Sequence, residues 1–291
     1  MATGAEWLEG ARPRTLPAAI APVLAGSGVA AFHDGFDLVL ALLAALVALA
    51  LQVGVNFAND YSDGVRGTDA QRVGPQRLVG SGAAAAWTVR AAALACFGLA
   101  GVAGLTVVVL TGQWWLLVVG ALAILAAWFY TGGSRPYGYL GLGEVFVFVF
   151  FGLVAVGGTV YIQLGWVPEA GWWAAVAIGA LACNLLVANN LRDLIGDEAV
   201  GKRTLATRLG DRGTRWFFVG LTALAGFSVL AVAATSTGWA LLGLAMLGLL
   251  GPVCARVVGG ASGRDLVGVL RDTGLAELLC AVGLLLGLVA G

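Results

Sequence analysis

The chain has 291 residues, 60% of them hydrophobic and only 11% charged, and its sixteen lysines and arginines balance its sixteen acids. A soluble domain is typically about a quarter charged, so this charge is too sparse to coat a water-soluble surface. A zero net charge offers no global attraction to nucleic acid. The composition is that of an integral membrane protein.

The opening stretch "MATGAEWLEGARPRTLP" holds acids and two prolines without a cleavage-site pattern, so no removable signal peptide is expected. A helix needs about 20 apolar residues to cross the hydrocarbon of a bilayer. Runs of that order fall near 16–32, 38–58, 84–111, 114–131, 142–162, 172–190, 216–235, 238–258 and 273–290. Backbone polar groups cannot be left unpaired in lipid. The runs therefore predict an all-α protein of nine transmembrane helices in a single domain, 1–291.

The basic residues give this map a direction. Arg12 and Arg14 precede the first run. Arg66, Arg72, Arg77 and Arg90 follow the second, and Arg135 follows the fourth. Arg192, Lys202, Arg203, Arg208, Arg212 and Arg215 follow the sixth, and Arg256, Arg264 and Arg271 follow the eighth. Nine spans put all of them on one face, and the loops "HDGFD", "TGQ", "QLGWVPEAG" and "TSTG" on the other carry none. By the positive-inside rule the N-terminus is cytoplasmic and the C-terminus lies outside. The segments about 59–83, 132–141, 191–215 and 259–272 then form one cytoplasmic face. His33, beside Asp34, reads as a polar turn. The cysteines at 96, 183, 254 and 280 lie in apolar stretches without paired spacing and read as inert thiols.

Two of these segments are acidic. All the asparagines lie at the ends of the second and sixth runs: Asn56 and Asn59, then Asn184, Asn189 and Asn190. The first pair runs into Asp60, Asp63 and Asp69, and the second group into Asp193, Asp197 and Glu198. Positions 56, 59, 60 and 63 share one helical stripe, as do 189, 193 and 197. The two ladders lie four helices apart, which suggests two four-helix halves plus a ninth helix. Carboxylates that continue the face of an apolar helix need a polar cavity or a partner. Oxygen-only ladders suit Mg²⁺, held by a few carboxylates together with the phosphate oxygens of a substrate. Lys202, the only lysine, follows the second ladder. Such a site at a greasy bundle fits a substrate with a diphosphate head and an isoprenoid tail. An ion-coupled transporter is the rival reading.

"NDYSDGVRGTD" and "NNLRDLIGDEAVGKRTLATRLG" resemble the two aspartate-rich motifs of the UbiA superfamily of membrane prenyltransferases. "RPRTLPAAIAPVLAG", "RVGPQRLVGSG" and "YTGGSRPYGYLGLGEVFVFVFFGLVAVGGT" are similar to its bacterial 1,4-dihydroxy-2-naphthoate branch. The resemblance runs from about residue 10 to 272. It implies transfer of a chain from a polyprenyl diphosphate to 1,4-dihydroxy-2-naphthoate with loss of the ring carboxylate. Branches acting on 4-hydroxybenzoate, haem or chlorophyllide are the alternatives. Carried over, Asn59, Asp60 and Asp63 with Asp193 and Asp197 would hold Mg²⁺ and diphosphate, and Arg66, Arg77 and Lys202 would contact the diphosphate. Tyr130, Tyr137, Glu144 and Asn189 would serve the acceptor or the allylic cation, with Asn56, Asp69 and Asn190 as further members. Gly67 stands where the broad pattern has an aspartate.

Overall fold

In the computed structural model, residues 2–67, 77–134, 136–199 and 201–291 are described, and among them there are helices and no strand. The helices are α1 (Gly4–Gly10), α2 (Pro17–Phe32), α3 (Leu38–Arg66), α4 (Ala86–Thr111), α5 (Leu116–Phe129), α6 (Gly143–Leu164), α7 (Glu169–Ala199), α8 (Leu205–Thr235), α9 (Gly238–Val258) and α10 (Asp265–Ala290). Each predicted run coincides with one of α2–α10. Seven of these, α3, α4 and α6–α10, are long and apolar enough to cross a membrane. The segment Gly4–Thr15 and α2 pass together as a pair bent by 46°, and α5 is a shorter apolar helix. At 14 residues α5 rises about 21 Å, less than the roughly 30 Å of hydrocarbon. Length and composition by themselves establish seven spans, or eight if the bent pair is one.

The helices outrun the apolar sequence at the basic end. α3 continues to Arg66 and α7 to Ala199, while α8 begins at Leu205 and α10 at Asp265. Residues 59–66 and most of 191–215 are thus helix, not loop. Hydropathy stops at the edge of the lipid, but a helical ladder stops only at a chemical signal. For α3 the signal is Gly67 at φ 73°, whose N–H returns to the carbonyls of Asp63 and Gly64. For α8 it is Thr204, whose hydroxyl accepts from the Thr207 N–H.

α3 packs along α4 and α7 along α8, while α10 packs on α2, α7 and α9, so the last helix meets the first. Small residues allow these approaches. A Cβ on Gly28 would lie 2.8 Å from the Cα of Leu285. Gly152, in a π-helical stretch of α6 (Phe148–Val154), faces Gly179 of α7 with the same lack of room. The core is lopsided. Ile178, Leu181, Phe218, Met246, Leu250, Leu266 and Leu284 are fully buried in the second half, whereas the first half holds a small cluster around Phe57, Leu78, Val89 and Phe97. α5 buries none of its residues. Its inner face looks instead into a chamber of about 1610 Å³, walled by residues of α2–α7 and α10.

Candidate active site

The four polar rungs of α3 are all buried, and each ties down a different segment. Asn56 donates from Nδ2 to the carbonyl of Ala11 (2.9 Å) and to the hydroxyl of Thr15 (3.0 Å), which also accepts from Gln52 Nε2 (3.0 Å). These bonds hold the strap between α1 and α2, where Arg12 lies at φ 54°, a left-handed conformation that costs a non-glycine residue about 1–2 kcal/mol. Asn59 accepts from the Thr131 hydroxyl at 2.7 Å. Asp60 accepts one backbone N–H on each oxygen, from Leu78 at 2.8 Å and Val79 at 2.9 Å. Asp63 accepts from the Tyr139 hydroxyl at 2.8 Å and pairs with Arg77 at 3.5 Å. Arg66, next on the helix, donates to the carbonyls of Thr131 and Gly133.

The α7 ladder is organised likewise. Asn190 donates to Glu144 Oε1 at 2.9 Å. Arg192 grips Asp193 with two bonds, 2.8 and 2.9 Å, and donates to Asn189 Oδ1 at 2.7 Å. Lys202 sits 3.3 Å from Asp197. The two ladders communicate through Tyr139. Its hydroxyl is on Asp63, while the Lys202 ammonium lies 5.1 Å and the Arg66 guanidinium 5.7 Å from its ring centre. The short turn that carries it (Tyr137–Tyr139) also accepts the Arg203 N–H on the Tyr139 carbonyl.

Asn56, Asn59, Asp63, Arg77, Tyr130, Tyr137, Asn189, Asn190 and Lys202 line the chamber. Asp60, Arg66, Glu144, Asp193 and Asp197 do not. Asp69 lies outside the described residues. Among those described, no group of three or more His, Cys, Asp or Glu side chains is gathered for a metal. The oxygen donors that line the chamber are Asp63, Asn59 and Asn189, while Asp193 is held by Arg192 and Asp197 by Lys202. One carboxylate with amide oxygens fits a hard cation completed by phosphate. Arg12, Arg14, Arg192 and Arg264 also line the chamber, so six cations face two carboxylates, Glu9 and Asp63. Such a mouth focuses an anion. Arg192 lies inside the second motif and Arg12 and Arg14 in "RPRT", yet sequence reading used them only for orientation. Arg271 and Arg256, by contrast, both donate to Asp272.

Beyond the mouth the walls are apolar. An aromatic file, Tyr130, Tyr137, Phe146 and Phe150, leads inward with ring centres 5.5, 4.0 and 6.2 Å apart. Tyr137 donates to the Ala126 carbonyl at 2.8 Å, and burial pushes its phenol above the usual tyrosine range, so it stays a donor. The chamber is built for an amphiphile with an anionic head and a long apolar tail.

Comparison with known proteins agrees with that shape. A 1,4-dihydroxy-2-naphthoate octaprenyltransferase of Mycobacterium tuberculosis is 53% identical over 282 residues, covering 97% of this chain and 96% of the relative. The structure of a UbiA homolog from Archaeoglobus fulgidus superposes with a TM-score of 0.68 at 14% identity, covering 98% of this chain and all of the other. The same homolog bound to GPP and Mg²⁺ superposes at 0.63 and 13% identity, with 98% and 100% covered. The model of the UbiA prenyltransferase family matches residues 19–263, and the chain therefore belongs to that family of multi-pass membrane proteins.

Proposed function

We propose that this enzyme transfers a polyprenyl chain from an allylic prenyl diphosphate to 1,4-dihydroxy-2-naphthoate, giving demethylmenaquinone in its reduced, hydroquinone form in menaquinone synthesis. The observation that carries the reading is the chamber itself, about 1610 Å³ in all, with cations at one end and largely apolar walls behind them. The near full-length relative supports the acceptor. The bond from the prenyl C1 to oxygen breaks and diphosphate leaves. A bond then forms from C1 to the ring carbon bearing the carboxylate, and CO₂ departs with no net oxidation. Arg77 and Lys202 receive the diphosphate beside Asp63 and Asn59, with Arg66 and Asp60 bracing the same walls. Asp63, with Asp193 and Asp197, would hold Mg²⁺, which would supply neutralisation of the charge that develops on the leaving group. Tyr130 and Tyr137 present ring faces to the allylic cation. Asn189 and Asn190 face the acceptor, and Glu144 orients Asn190. Asn56 holds the strap, and Asp69 stays a further candidate member of the site.

The same reading has nine spans, with α2 and α5 crossing beside the seven long helices, and one domain over 1–291. The N-terminus is cytoplasmic and the C-terminus outside the plasma membrane of a bacterium. The test is purified protein in detergent with Mg²⁺, prenyl diphosphates and a panel of aromatic acceptors. Prenylated naphthol with CO₂ release is expected, and chelation of Mg²⁺ stops it. Absence of diphosphate release with every acceptor sinks the reading, and preference for another acceptor moves the enzyme to a different branch.

A further inference from the structure

The far end of the chamber carries a feature that the chemistry at the mouth does not use. Along α3 the lining runs from Asp63 back to Ala44, nineteen residues or about 28 Å of helix, close to the whole hydrocarbon thickness. Four glycines line the deep part: Gly101 and Gly104 on α4, Gly120 on α5 and Gly158 on α6. Gly101 and Gly158 are each fifteen residues from the start of their helix at the mouth, about 22 Å deep. A Cβ built on any of the four meets nothing within 4 Å. None has positive φ, and none is at a close helix crossing of the kind seen at Gly152. Glycine inside a helix lowers its stability relative to alanine. What the missing side chains provide here is open space in the chamber.

Resting on the prenyl-transfer reading, we propose that Gly101, Gly104, Gly120 and Gly158 set how long a prenyl tail the enzyme accepts. A short donor such as geranyl diphosphate ends before reaching them, whereas the distal units of a long donor lie against them. A bulky side chain at any of these positions occupies the space of those units and leaves the mouth untouched.

The experiment compares wild type with Gly104→Phe and Gly158→Phe, each supplied with geranyl and octaprenyl diphosphates. Gly98→Phe is the control, because Gly98 is on α4, equally free of neighbours within 4 Å, exposed, and not part of the lining. Overpacking a filled apolar site costs enough to lower kcat/KM for the octaprenyl donor by at least about tenfold, with the geranyl value within about twofold of wild type. Thermal stability in detergent is measured alongside, and Gly104→Leu replaces a phenylalanine variant that does not fold. Equal losses for both donors, no loss for either, or the same selective loss in Gly98→Phe overturns the proposal. If wild type turns over neither donor, the prenyl-transfer reading fails instead, which is a separate outcome.

Discussion

Tyr139→Phe is a sharp probe of the site, because it deletes one oxygen and leaves the ring. The hydroxyl donates to the Asp63 carboxylate at 2.8 Å, a charge-assisted bond of about 1.5–3 kcal/mol. The ring keeps its contacts with Lys202 and Arg66. If the bond orients Asp63 in the transition state, kcat/KM for the prenyl diphosphate falls by about 10- to 150-fold, at one decade per 1.4 kcal/mol. Tyr139 is only half-buried, so thermal stability changes little. Tyr139→Ala also strips the ring from two cations, each contact being worth about 0.5–1 kcal/mol, and falls further. Initial rates are measured at saturating acceptor across a Mg²⁺ titration, where the Phe variant needs more metal for half-maximal rate. A Phe variant within twofold of wild type at every Mg²⁺ concentration refutes the argument that Tyr139 joins the two ladders functionally.

Four further substitutions separate structure from chemistry. Asp60→Asn replaces one of two acceptors for the N–H groups of Leu78 and Val79, so stability falls by about 1–3 kcal/mol, whereas Asp63→Asn loses turnover with little change in melting temperature. Asn56→Ala frees the strap at Ala11 and Thr15, and limited proteolysis then cuts between α1 and α2 where wild type resists. Glu277 is fully buried on α10 with neither oxygen hydrogen-bonded, so Glu277→Met raises stability by about 1–3 kcal/mol in a thermal melt, and a fall instead shows that the carboxyl has a bound partner.

Much of the architecture was legible because hydropathy and charge are one-dimensional signals. The apolar runs located α2–α10, and the asparagine–aspartate stripes located the business end of the bundle. Hydropathy said nothing of where helices stop, and so α3 and α7 reach further than their apolar runs. Periodicity placed residues 56, 59, 60 and 63 on one stripe, yet a stripe about 100° wide still offers each residue a different neighbour. Asn59 and Asp63 line the chamber and Asp60 faces away into the 77–79 segment, a distinction that needs the segment's position in space. Tyr139 joins the ladders through contacts 76 residues apart, which no local pattern encodes. Arg12 and Arg14 were visible as charges, but only the fold turns them toward the mouth.

The meeting of α10 with α2 bears on how such a protein is made. Gly28 and Leu285 touch across 257 positions of chain, so the first long segment to leave the ribosome waits for the last before its partner exists. Until then α2 has one flank unclad in the bilayer. Contacts this remote are slow to form, and sealing of the bundle is a late event in biogenesis, sensitive to anything that delays the final hydrophobic segment.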